Sequence, residues 1–225
     1  MKILQPIALL FLAMAASPGF AVSVGEVTSM MHPGRSVLSK EISNNTDSAR
    51  FVSVTVERIS SPMEDGVVIR MDSKAELLST PASLILPGHT KENFRFIYNG
   101  PRDNKERYYR LLWQDEPIAE HDTTSNRKQG LATTSAVIGT LLVVLPRQTT
   151  FDFKYQNGTV TNTGNASFRV IAYGPCSEKN KDIGKGCRER YYLKPGVNVK
   201  IKYADIANKK TRIGIWHDEK FISVK

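Results

Sequence analysis

Apolar and polar residues alternate along most of this chain with a period of two, the spacing of a strand buried on one face and wet on the other. Over 51–59 the valines at 52, 54 and 56 point one way, while Ser53, Thr55 and Glu57 point the other. The run through Leu84 and Leu86 stops at Pro87-Gly88, a turn signal, and alternation resumes at Phe94, Phe96 and Tyr98. Asn99-Gly100-Pro101 breaks the chain again before a strand over 108–113. Helical spacing is nearly absent; only 74–78 is predicted as a short turn of helix. After Arg147 the same pattern returns, with strands predicted over 150–155, 167–173, 197–203, 211–216 and 221–224 and a turn at Asn157-Gly158.

The stretch 130–147, GLATTSAVIGTLLVVLPR, is a strand in two parts. Its aliphatics are almost continuous over 138–145, which suits burial on both faces, and thin to Leu, Ala, Thr and Ser over 131–137, which suits an exposed edge. An unburied edge strand is an aggregation hazard, so a protein that keeps one is expected to pair it with another chain. Two strand-rich halves meet near 146–148. Short strands punctuated by Gly, Pro and Asn turns predict an all-β chain of two Ig-like β-sandwich domains in series, with a single larger barrel as the alternative.

The first 21 residues read as a secretory signal: Lys2, an apolar run over 7–16, a Pro18-Gly19 break and a small-residue end, with cleavage expected after Ala21. Nothing else approaches about 18 consecutive apolar residues, so an exported protein without membrane insertion is expected. The remaining chain is divided into an N-terminal domain over 22–146 and a C-terminal domain over 147–225. The formal net charge is +9, but the basic residues are scattered without an Arg-rich helix or aromatic stacking motif, which argues against nucleic acid. Cys176 and Cys187 lie in a polar stretch of an exported chain and are expected to form a disulfide closing a surface loop.

Catalytic patterns are wanting. His32, His89, His121 and His217 have no ligand spacing, and H-E-x-x-H, G-x-S-x-G and Walker patterns do not occur. The pairs His121-Asp122 and His217-Asp218 would point to opposite faces of a strand. The sequence therefore predicts a protein that is not an enzyme and uses no metal or other cofactor. The Asn-x-Ser/Thr matches at Asn44, Asn157 and Asn165 read as turn chemistry.

Several of these segments match, in order and over nearly the whole mature length, the periplasmic chaperones of chaperone–usher pilus assembly. ISNNTDSARFVSVTVERI over 42–59 resembles their second strand with its Asn-rich lead-in, TPASLILPG over 80–88 their T-P-x-x-x-x-L-x-P-G element, FRF over 94–96 their next strand and KERYYRLLW over 105–113 their acidic-aromatic strand. NTGNASFRVIAYGPC and YLKPG over 192–196 sit where that family has an N-x-(T/S) strand and an L-x-P-G turn. ERYYR followed by AVIGTLLVVLPRQ is most similar to the branch serving alternate or class 5 pili, the common pilus (Mat or Ecp fimbriae) being nearest.

The resemblance implies two Ig-like domains in an L-shaped, boomerang arrangement. It implies a periplasmic location and, as partners, pilus subunits (pilin or tip adhesin) and the outer-membrane usher. The last strand of the first domain would be donated to an incomplete subunit, a segment matching 131–137 with Leu131, Thr133, Ser135 and Val137 on one face. The family anchors the subunit's C-terminal carboxylate with charged residues at positions matching Thr28 and Thr140, neither of which is charged. Arg110 is the candidate replacement, and the competing reading is that it pairs with a nearby carboxylate. Glu106, Arg147 and Asp205 fall near the family's interdomain ion pairs. The rival function is a secreted structural pilus subunit or adhesin, against which the lead-in over 22–31 is short and runs straight into the first domain.

Overall fold

The computed structural model describes residues 22–118, 135–183, 186–217 and 220–225. The leader predicted over 1–21, the first part of the predicted edge segment (Leu131 and Thr133 included) and His121 lie outside the described residues. Within them the chain is all-β apart from one 3₁₀ segment, Glu178–Ile183. Among the described residues no helix is long and apolar enough to cross a membrane.

Eight strands build the first sandwich: β1 (Thr28–Met31), β2 (Val37–Ser43), β3 (Arg50–Ile59), β4 (Leu77–Thr80), β5 (Ser83–Leu86), β6 (Lys91–Tyr98), β7 (Arg107–Pro117) and β8 (Ala136–Val144). They form a sheet in the order β1-β8-β7-β3-β5 and a second in the order β2-β6-β4. The inward faces are those the alternation indicates. Val52 and Val54 on β3, Phe94, Phe96 and Tyr98 on β6, and Tyr109, Leu111 and Trp113 on β7 meet in one buried cluster. Trp113 is at its centre, with Phe94 and Phe96 edge-on to it at centroid distances of 5.1 and 5.9 Å.

The segment 74–78 is not helical. Glu76 is pulled inside, where it accepts hydrogen bonds from Tyr109 Oη (2.5 Å), the Asp72 amide (2.5 Å) and Arg58 Nη1 (3.2 Å), and the chain leaves it extended to pair β4 with β6. β8 is also less enclosed than expected: Ile138 is half-buried and Gly139 exposed, and full burial begins at Thr140.

Seven strands build the second sandwich: β9 (Phe153–Gln156), β10 (Thr159–Asn162), β11 (Phe168–Gly174), β12 (Cys187–Leu193), β13 (Asn198–Lys200), β14 (Arg212–His217) and β15 (Lys220–Ser223). The sheets β13-β10-β9 and β12-β11-β14-β15 close over their own cluster, which includes Val160, Phe168, Val170, Leu193, Ile213 and Ile215. Two separate cores exclude the single-barrel alternative. The β9–β10 hairpin turns at Asn157 and Gly158, both with positive φ (48° and 77°), the handedness that a two-residue hairpin turn needs. Cys176 and Cys187 are disulfide-bonded, but the bridge is not confined to a surface loop: Cys187 is buried and opens β12, and Cys176 pairs with Ala204.

Each sandwich is tied by one buried asparagine. Asn44 Nδ2 donates to the carbonyls of Ser48, Leu86 and Pro87 at 2.8–3.1 Å while its Oδ1 accepts from Thr46. Asn162 Nδ2 donates to the carbonyls of Ala166 and Leu193 at 2.9 and 3.0 Å, and its Oδ1 accepts from the Gly164 amide. An unserved buried carbonyl or amide costs about 1–3 kcal/mol. Asn162→Ala is therefore expected to lower stability by about 2–4 kcal/mol, with urea denaturation followed by tryptophan fluorescence as the check.

Candidate functional site

β8 is covered unequally on its two sides. β7 pairs with it antiparallel along its whole length, from Asp115↔Ala136 to Arg107↔Val144. β1 pairs with it in parallel only from Thr28↔Leu141 to Met31↔Val144, with the Leu141 amide bonded to the Val27 carbonyl at 2.7 Å. From Ala136 to Thr140 the second side of β8 has no strand beside it among the described residues. Backbone N–H and C=O groups left unpaired on an edge are a template for another strand.

Side chains sort cleanly along this edge. Ile138, Leu142 and Val144 turn into the first core or pack against it, and Thr140 Oγ1, fully buried, accepts a hydrogen bond from Trp113 Nε1 at 2.9 Å. Val137, 68 % exposed, and exposed Gly139 occupy the opposite face, which is also the face of Ser135. Arg110 lies beside this outer face, opposite Leu141 across the β7–β8 ladder, and its Nη1 is 3.6 Å from Glu57 Oε2. The competing reading of Arg110, a carboxylate partner, describes that contact.

Below the free edge a cleft of about 660 Å³ opens between the sandwiches, lined by Thr28, Ser29, Met30, His32 and Lys40 from the first and Arg169 from the second. Lys40 is 6 % exposed, with Nζ donating to the Glu26 carbonyl (2.6 Å) and Ser29 Oγ (3.2 Å). Burial pushes its pKa below the ordinary lysine value, partly opposed by the charge of Glu26. Thr28 is thus in the cleft wall, whereas Thr140 is committed to the core. Sequence reasoning passes over Lys40, yet Leu38, Lys40 and Ile42 share one face of β2, and a lysine in register with two aliphatics is the signal that marks it.

The joint between the sandwiches is hydrogen-bonded and not ionic. Glu106 accepts from the Ser167 amide (2.5 Å), Ser167 Oγ (2.6 Å) and Tyr192 Oη (3.4 Å), and Tyr108 Oη lies 3.2 Å from Ser167 Oγ. Burial raises the Glu106 pKa against the pull of these donors, and desolvation raises those of Tyr108 and Tyr192. The predicted ion pairing of Glu106, Arg147 and Asp205 is corrected accordingly, since no salt bridge joins them among the described residues. The Arg147 amide binds the Asp103 carbonyl at 2.8 Å. Asp205 closes a turn through the Ala207 amide and sits by Pro175, beyond the far end of β11 from Ser167 and so about 20 Å away. Asp103 itself is held by a bidentate pair with Arg107 at 2.6 and 2.8 Å.

Comparison with known proteins adds relatives to this geometry. A family model described as the EcpB C-terminal domain matches residues 151–224. Curated proteins of Escherichia coli named "Probable fimbrial chaperone EcpB" are 48 % identical over 224 residues, covering 100 % of this chain and 99 % of theirs, in strain K12 / DH10B and in strain E2348/69 alike. Among solved structures, the class 5 fimbriae chaperone CfaA aligns with TM-score 0.59 at 15 % identity over 90 % of this chain and 97 % of its own. The periplasmic chaperone SfaE aligns with TM-score 0.55 at 14 % identity over 90 % and 98 %. The Salmonella enterica complex of SafA pilin with the SafB chaperone gives TM-score 0.54 at 16 % identity over 89 % and 91 %. The shared fold is two immunoglobulin-like sandwiches.

The Asp103–Arg107 pair beside the joint sets an acid limit. Arg107 holds the Asp103 carboxyl down to about 2 from an ordinary 3.8. A depressed carboxylate pKa contributes stability above its unfolded value, lost as pH falls from about 4 towards 2. Asp103→Asn is expected to lower stability above about pH 5, where that contribution is fully present, and to flatten the profile between about pH 4 and 2 so that the two proteins converge at the acid end, as measured by urea midpoints across the pH series.

Proposed function

The chain belongs to the EcpB family of fimbrial chaperones, and from that premise we propose that it captures incomplete pilus subunits by lending them the free side of β8 and delivers them to an outer-membrane usher. The observation that carries this reading is the one-sided pairing of β8 from Ala136 to Thr140. A subunit sandwich that lacks a strand exposes an apolar groove and a row of unpaired backbone groups, and a donated strand satisfies both at once. The donated face is the one that Ser135 and Val137 share, opposite the face that fills the chaperone's own core, and sequence alternation assigns Leu131 and Thr133 to the same set of four. Two of the four are small and polar, so the pockets they enter are shallow. No nucleotide is required, because a better-fitting strand from the next subunit drives release. Removal of 1–21 on export places the protein in the periplasm, with domains over 22–146 and 147–225.

Lys40 and Arg169 are the cations we assign to a subunit's C-terminal carboxylate. They face one cleft below the free edge, while Arg110 is engaged by Glu57 and Thr140 by Trp113. A buried carboxylate needs charged or multiple donors, and an ammonium has three, of which Lys40 spends two on Glu26 and Ser29. The pilus-subunit alternative finds less support, because each sandwich here has two sheets around its own core.

The test is the intact-complex mass of tagged protein purified from the periplasm of pilus-expressing cells. Wild type is expected to carry one subunit, and the Leu131→Asp, Val137→Asp double variant to carry none; a wild type without a partner, or a variant that keeps it, overturns the assignment. Lys40→Met is expected to weaken capture about 10-fold or more, the scale of a hydrogen bond to a charged group, with circular dichroism unchanged. Arg110→Met should reduce capture far less in the same titration.

A further inference from the structure

Charge occupies one end of the first core, at positions where the alternation calls for apolar residues. Arg50 precedes Val52 and Val54 on the inward face of β3, and Asp115 follows Leu111 and Trp113 on the inward face of β7. The ladder sets Val52 opposite Asp115, and Arg50 Nε donates to Asp115 Oδ1 at 2.7 Å. Asp115 is 1 % exposed. A carboxylate this deep needs donors on both oxygens. The donor on Oδ2 is the backbone nitrogen of Val22, at 3.1 Å.

Val22 is held there firmly. Its side chain and that of Val24 belong to the first core, and between them Ser23 exchanges both backbone hydrogen bonds with Ser43, at 2.8 and 3.0 Å. Val22 is also the first residue after the cleavage point that the leader sequence predicts. In the precursor its nitrogen is an amide with one hydrogen and no charge. Hydrolysis of the Ala21–Val22 bond by a leader peptidase adds water, leaving a carboxylate on Ala21 and an amine on Val22 that takes up a proton.

We infer that this new α-ammonium binds Asp115 as the third member of a buried Arg50–Asp115–N-terminus cluster, so that leader removal completes the core of the first sandwich. A charge-assisted bond is roughly twice as strong as the neutral one it replaces. Asp115 is also the β7 partner of Ala136, so the cluster sits under the start of the free edge. The site is a receptor for the chain's own processed end. This inference rests on the export reading above, with the cut after Ala21.

The experiment inserts one glycine between Ala21 and Val22 in the full precursor, so that the exported chain starts one residue early. The ammonium then moves by about 3.8 Å along the chain and Val22 keeps an amide. Intact mass is expected to place the unmodified start at Val22, and urea denaturation to show an unfolding equilibrium constant roughly 10-fold larger for the extended chain, a difference absent between the same two N-termini carrying Asp115→Asn. Independently of whether that variant folds, acetylation of the Val22 α-amine by an amine-reactive ester, read by peptide mass spectrometry, is expected to be at least about 10-fold slower in the native protein than in urea, beyond the change at lysines. Equal stability of the two N-termini, an equal difference in Asp115→Asn, or full native reactivity overturns the cluster while leaving cleavage at Val22 intact. A start other than Val22 overturns the cleavage reading, and the cluster with it.

Discussion

Four residues of parallel pairing between β1 and β8 decide how this molecule presents itself. Had β1 run the length of β8, the edge would be sealed and the first sandwich would be an ordinary closed one. Instead β1 covers only Leu141 to Val144, and the uncovered part is backed by the complete β7 ladder and by the Trp113 cluster. The edge is thus both open and stiff, which separates it from a disordered flap: its backbone groups are prearranged for a partner, and little conformational freedom remains to be lost on pairing.

Buried polar groups stand at both ends of the first sandwich, two towards the joint and one at the far end of β7. Lys40 sits in the cleft below the edge, Glu106 bridges to Ser167 and Tyr192, and Asp115 lies beneath the start of β8. Each is matched by donors or acceptors of the chain's own backbone or side chains, as burial demands. Because the joint is made by hydroxyls and amides meeting one carboxylate, its geometry depends on direction and short range and is little affected by ionic strength, unlike a joint of surface ion pairs.

Much of this is legible in the sequence, for a specific reason. Strands such as β3, β6 and β7 have one wet face, so their alternation survives in the residue order and names their core residues directly. What is not legible comes from long-range contacts. The segment 74–78 has helical composition, yet Tyr109 and Arg58 draw Glu76 inward and the chain extends. β12 is hidden because Arg188, Glu189 and Arg190 look solvated; Glu189 is in fact buried, accepting from the amides of Lys202, Tyr203 and Ala204. An ionic joint is the right glutamate read with the wrong partners, since Ser167 and Tyr192 carry no charge to attract notice. Lys40, Asp115 and Arg50 share a lesson: each keeps the inward register of its strand, and register outweighs residue type in telling where a side chain goes.

The Thr140 hydroxyl is fastened to the Trp113 indole at the last position before β1 takes over the edge. Sliding β8 by one residue would reverse every side chain on it, and sliding by two would put Ile138 or Leu142 against the indole N–H and leave that donor buried and unserved. One threonine hydroxyl therefore acts as a phase marker: it fixes not whether the strand is offered but which of its side chains any incoming strand will meet, and at what offset.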